Sequence, residues 1–156
     1  MAPPKLIPEA SLTQKAAIEM ATEYIGYWAH DKWESEYPFP KPEKKGFSGL
    51  DRFLIRLAHI ENNIAECEEH RRQSICRLCN KDNGSREYVL DMSSKIIRWP
   101  EGYSHYLAEH NIHPATEFYH LINRLYSKQT KPDYDRSGRK KNKNNWKQER
   151  AHKYCT

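Results

Sequence analysis

Between Cys76 and His113 the chain reads CRLCNKDNGSREYVLDMSSKIIRWPEGYSHYLAEHNIH, and no other stretch restricts the fold as much. Two cysteines stand two residues apart, and His105 and His110 follow the second cysteine after 25 residues. Thiolates two residues apart on a tight turn can grip one ion from neighbouring backbone positions. A helix can add two imidazoles from roughly one turn of its length. Two sulfur and two nitrogen ligands make a tetrahedral set that suits Zn²⁺. The expected ligands are therefore Cys76, Cys79, His105 and His110, with His113 as an alternate just beyond the helix. The x4 spacing sets the two helical histidines about 140° apart for a ~3.6-residue turn. The last turn must change pitch for both rings to face one ion, and Asn111 marks a fitting end.

The rest of the composition raises the need for such a staple. The 156-residue chain is 37% hydrophobic and 30% charged, so its core must be small, although ten Tyr, four Trp and four Phe can supply it. Small polar domains commonly depend on a metal or disulfides. The N-terminus lacks the basic and apolar regions of a secretory signal, and no run approaches the ~20 apolar residues of a membrane span. Reduced thiols in cytoplasm or nucleus follow as the expectation, with Cys67 a core thiol and Cys155 a tail thiol.

Along the chain, residues 1–10 carry three prolines and read as an extended arm. Ser11 and Gln14 form a capping-box pattern ahead of apolar residues at helical spacing, which predicts a helix over about 12–30. Residues 33–47 read as a loop whose prolines exclude regular structure. Its Trp33, Tyr37, Phe39 and Phe47 either pack the loop onto the body or form a docking surface. Ser48 and Asp51 suggest a second capping box, and Leu50, Phe53, Leu54, Leu57, Ile60, Ile64 and Cys67 predict an amphipathic helix over about 49–72. His59 and His70 fall on its boundary. SREYVLD and SKIIRW around DMSS predict a hairpin. Pro100 is placed as a first helical residue, with a helix running to Asn111. Pro114 begins another, with Phe118, Leu121, Ile122 and Leu125 on one face. Trp99, Tyr103 and Tyr106 are expected to pack beneath the metal.

The order of knuckle, strand, turn, strand and helix resembles a C2H2 zinc finger of the ββα type over residues 76–113. That family has ~12 residues between its second cysteine and first histidine, where this chain has 25. The resemblance implies the ligand set but no base-reading residues, because the longer connection shifts the register. HNH-type nucleases also set a C-x2-C knuckle before a ββα-metal element, and AEHNIHP with INRL resembles part of that pattern. The order and spacing differ, and a second C-x2-C is missing. Glu109, beside His110, is the one candidate general base, and its plainer reading is a surface carboxylate. A redox role for the cysteine pair would need a βαβ context that the sequence lacks.

Charge is divided unevenly. From Lys128 to Lys153 there are ten Lys and Arg against three Asp and Glu, a net of +7, which leaves sixteen against eighteen, a net of −2, elsewhere. The tail has no apolar periodicity and is expected to be disordered or to fold on binding. Arg139, Lys140, Lys141, Lys143, Lys147 and Arg150 can neutralise phosphates, and Trp146 can stack on a base. The expected fold is α+β and mainly helical: two N-terminal helices, a zinc-stapled hairpin plus helix over about 74–113, and a closing helix, together a domain over 11–127, then a basic tail from 128. The expected function is a non-catalytic zinc-binding interaction module associated with nucleic acid, without a membrane partner or small-molecule substrate. The alternatives are an adaptor that binds proteins through loop 33–47, and a ββα-metal nuclease.

Overall fold

The computed structural model describes residues 20–29, 36–131 and 137. The N-terminal arm, the first capping box, Trp33, Cys155 and every tail residue expected to meet nucleic acid lie outside the described residues. Within them, three helices accompany a four-stranded sheet, an α+β architecture with substantial strand content.

The hairpin forms where the alternating Val, Ile and aromatic residues place it. Strand β3 (Arg86–Asp91) pairs antiparallel with β4 (Lys95–Pro100), with Tyr88 opposite Trp99 and Leu90 opposite Ile97. The side chain of Asp91 accepts from the Ser93 backbone N–H at 2.8 Å, and Ser93 takes a positive φ of 64° to close the turn. Pro100 is the last residue of β4, opposite Glu87, instead of the start of a helix. It has no N–H to donate, and the end of a strand tolerates that loss. Helix α2 begins three residues later (Tyr103–Glu109).

The expected helix over 12–30 is replaced, in its described part, by an edge strand. Strand β1 (Ala21–Tyr24) lies parallel to β4 in the register Ala21–Lys95, and Ile25 N–H extends the ladder to Arg98 O. Met20, Tyr24, Ile25 and Trp28 keep helical spacing, but pairing with β4 satisfies this backbone instead. Gly26 then turns the chain at φ 71°, where a Cβ would run into the Tyr103 ring.

The expected helix over 49–72 is likewise divided. Helix α1 spans Leu50–Asn63, and a separate strand β2 (Glu66–Glu69) pairs antiparallel with β3. Asn62 and Asn63 end the helix by donating their side-chain amides to the carbonyls of Ala58 and His59. Local bonds of that kind compete with the helical ladder. The Ser48 box does not form: Gly49, at φ 82°, is the N-cap, and no side chain bonds the first turn. His59 sits half-buried beside Tyr126, a boundary position.

Sheet order is β1-β4-β3-β2. One face carries Leu90, Ile97 and Trp99 into a core shared with Phe53, Leu57 and Ile60 of α1, Leu107 of α2, and Phe118, Leu121 and Ile122 of α3. Helix α3 spans Thr116–Thr130, three residues into the segment expected to be tail. The other face carries Glu68, Glu87 and Arg98, joined by ion pairs. Phe47 packs edge-on against His113 and Tyr119, and Pro40 is fully buried. Within the described part of the aromatic loop, Pro40 and Phe47 are thus docked onto the body, while residues 41–46 are exposed.

Candidate metal centre

The residues after α1 and β2 fold back into a knuckle. An isolated bridge between Ile75 and Asp82 closes its base, and Cys76 N–H donates to Lys81 O at 2.9 Å. Asn80 N–H donates to Cys76 O at 3.0 Å, and Asn80 holds the left-handed conformation at φ 58° that the tight turn requires. Asparagine is among the few residues that adopt it at low cost. Asn83 is buried against Gly102, where any side chain would collide with it. This glycine lets the knuckle dock against the start of α2.

Helix α2 presents His105 from its body and His110 from its end. His110 is the C-cap, at φ −120° and ψ 9°, and Asn111 follows in the left-handed region at φ 51°. The Tyr106 carbonyl accepts from both His110 N–H, at 3.2 Å, and Ile112 N–H, at 3.3 Å. Leaving helical geometry at His110 swings its ring toward His105, which answers the mismatch posed by five-residue spacing.

Cys76, Cys79, His105 and His110 thus lie together, with their ligand atoms all within 4.8 Å of one another. Cys76 Sγ is 3.3 Å from His110 Nε2, Cys79 Sγ is 3.2 Å from His105 Nε2, and the two Nε2 atoms are 3.2 Å apart. A tetrahedral ion with bonds of ~2.3 Å to sulfur and ~2.0 Å to nitrogen has edges of about 3.5 Å between S and N and about 3.3 Å between two N. The three short edges of the cluster have nearly those lengths.

Its surroundings favour the ligand forms of Cys76 and His105. Burial pushes the Cys76 thiol up, but hydrogen bonds from the Leu78 and Cys79 backbone and from the Cys79 and Tyr106 side chains outweigh it. The thiol therefore sits below its ordinary value. Burial first, then repulsion from His110, lowers His105, with Glu109 acting in the opposite sense. The Tyr106 hydroxyl accepts from Arg77 N–H at 2.7 Å and bonds to the Cys76 side chain, so one buried phenol braces the knuckle from behind. Burial pushes that phenol up to about 12. Tyr106→Phe leaves the Arg77 N–H without its acceptor, which costs about 2 kcal/mol. Loss of an outer-shell partner of this kind weakens metal affinity roughly ten-fold. Chelator competition and thermal melting of the variant measure both.

Other sequence candidates fall outside the cluster. His113 Nε2 donates to Lys45 O at 2.8 Å. Asn111 donates its side-chain amide to Glu43 O and Lys45 O, tying loop 43–45 to the end of α2. Glu109 is exposed. His70 belongs to a second group with Glu68 and Glu87, which the sequence reading missed. Arg98 already fills that group, donating to Glu68 at 2.9 Å and Glu87 at 2.9 Å. Glu68 and His70 flank the end of β2 two residues apart, but Glu87 comes from β3, so only strand pairing completes the group. Among the described residues, no helix is long and apolar enough to cross a membrane. No family model, curated protein or solved structure matches the chain.

Proposed function

We propose that the chain is a non-catalytic zinc module, stapled through Cys76, Cys79, His105 and His110, that associates with nucleic acid through its basic C-terminal segment. The convergence of two sulfur and two nitrogen donors at tetrahedral spacing carries this reading. Sulfur and imidazole in equal number select zinc over the oxygen-seeking cations. A complete four-ligand set holds no position for a substrate water, which separates a structural site from a catalytic one. The tethering of Asn111 and His113 to loop 43–45 also argues against the nuclease alternative, where an asparagine and a histidine near the metal must serve the reaction. The docking of Phe47 and Pro40 argues against the adaptor alternative through loop 33–47.

The nucleic-acid half of the reading rests on charge. The segment from Lys128 to Lys153 carries net +7 against −2 elsewhere. Phosphate neutralisation by such a segment releases counterions, so binding should fall steeply with salt. In the full chain, replacing Arg139, Lys140, Lys141, Lys143, Lys147 and Arg150 together by glutamine removes up to six phosphate contacts. The slope of log K against log salt on single strands should then flatten by about 4. Fluorescence anisotropy with a labelled single strand measures it. An unchanged slope sinks the tail reading without touching the metal reading.

A further inference from the structure

A cleft of ≈ 600 Å³ opens beside the metal knuckle, and its lining includes Tyr27, Trp28 and Tyr37 together with Arg72, Arg77 and Arg86. That volume is in the range of small-ligand sites. The Tyr27 and Tyr37 rings lie 5.7 Å apart and tilted by 33°, and Tyr24 meets Tyr27 edge-on at 5.2 Å. None of the three arginines forms an ion pair among the described residues. Of the two carboxylates on the cleft wall, Glu87 is already shared by Arg98 and His70. Glu36 is the other, so positive charge stays in excess. Arg77 is held in place by two backbone carbonyls, those of Ile75 at 2.8 Å and Trp28 at 3.4 Å. Two of its five N–H donors are used in this way, and the rest of the fork stays available.

Aromatic rings and guanidinium groups free of ion pairs, lining one cleft, match one ligand chemistry well. A nucleobase can lie on the tyrosines while its phosphate meets the arginines. We propose that this cleft binds a nucleoside phosphate, either free or as one unit of a single strand. The inference deepens the nucleic-acid reading and rests on it for the class of ligand, but it moves a specific contact from the tail to the folded body. Arg77 lies between the two cysteine ligands and Tyr106 lines the cleft, so the metal centre would shape this wall.

The test uses the full chain, its tail-neutralised form and Arg72→Ser/Arg86→Ser, with zinc content and melting temperature checked for each. The probes are a fluorescein-labelled ten-residue oligothymidylate, an abasic strand of equal length, a polyglutamate peptide and free thymidine monophosphate. The cleft proposal expects the arginine pair to weaken oligothymidylate binding at least ten-fold. It expects the tail-neutralised chain to keep measurable binding, and the abasic strand and polyglutamate to bind at least ten-fold more weakly than oligothymidylate. Competition by free monophosphate identifies a free nucleotide as a ligand, and its absence assigns the site to a strand. If the double variant does not fold, Arg72→Ser alone, at an exposed position, should still weaken binding about three-fold. Equal binding by the arginine variants overturns the cleft even if tail neutralisation abolishes binding, which leaves the tail reading standing. Loss through the arginines with no effect of tail neutralisation does the reverse. Equal binding of the abasic strand or polyglutamate also overturns it.

Discussion

Cys76→Ser should leave the chain without a bound metal and without a cooperative thermal transition. A tetrahedral site of this composition contributes an apparent ~10–16 kcal/mol at neutral pH, while a whole domain is stable by about 5–15 kcal/mol. Cys76 is completely buried among Tyr106, Leu107 and Ile112 in the same core that holds Trp99. Losing the ion would leave a buried thiol or hydroxyl and two imidazoles facing one another at 3.2 Å. The vacated sulfur and nitrogen donors would draw water into the core and loosen α2 from the knuckle. Cys79→Ser, at a half-buried position, should behave in the same way. A strong chelator added to the unaltered chain should reproduce the loss, which separates the metal from the packing of one side chain. Metal per chain by mass spectrometry, read beside circular dichroism melting, decides it. A metal-free chain that melts unchanged would remove zinc from the account and reduce the cluster to a polar pocket.

The clustering of Cys76, Cys79, His105 and His110 was legible because its information is local. Two cysteines in one turn and two histidines on one helix need no knowledge of distant partners. The hairpin was legible for a similar reason, since Val89, Leu90, Ile96 and Ile97 are strand formers around a polar turn. The geometry of His110 was half legible: Asn111 signalled a helix end, but only the turn itself shows that leaving the helix brings the second ring round. The short edge strands were not legible. Ala21–Tyr24 is a strand because β4 lies beside it, and its apolar residues fit a helix equally well. Glu66–Glu69 reads as a solvated helix face because three of its four residues are glutamates. Its strand character comes from β3 across the ladder. The cleft was hidden for the strongest version of this reason. In the sequence Tyr27 and Trp28 read as part of a helix, Tyr37 as loop and Arg77 as part of the knuckle, and only the assembled fold brings them to one opening.

Glu61 is a second place where the assembled fold changes a residue's chemistry. Its position on α1 gives no sign of it, but its carboxylate accepts from Trp99 Nε1 at 2.9 Å. Burial pushes it up from 4.5 to about 7, with Glu101 adding repulsion and the Trp99 hydrogen bond working against both. A carboxyl whose folded value is raised binds its proton more tightly in the native state. Native protein then holds more protons than unfolded protein between the two values, so stability must fall as pH rises through that window. At 1.36 kcal/mol for each pH unit, the upper limit is about 3 kcal/mol, and partial exposure brings the expected loss nearer ~2 kcal/mol. Glu61→Gln keeps an oxygen acceptor for Trp99 and abolishes the titration. The variant should match the parent below pH 4.5 and exceed it by about 2 kcal/mol at pH 8, where the parent carries a buried charge. Chemical denaturation at a series of pH values, with zinc saturating, measures the difference. Parallel curves for the two proteins from pH 4.5 to pH 8 would mean that Glu61 reaches solvent and ionises without cost.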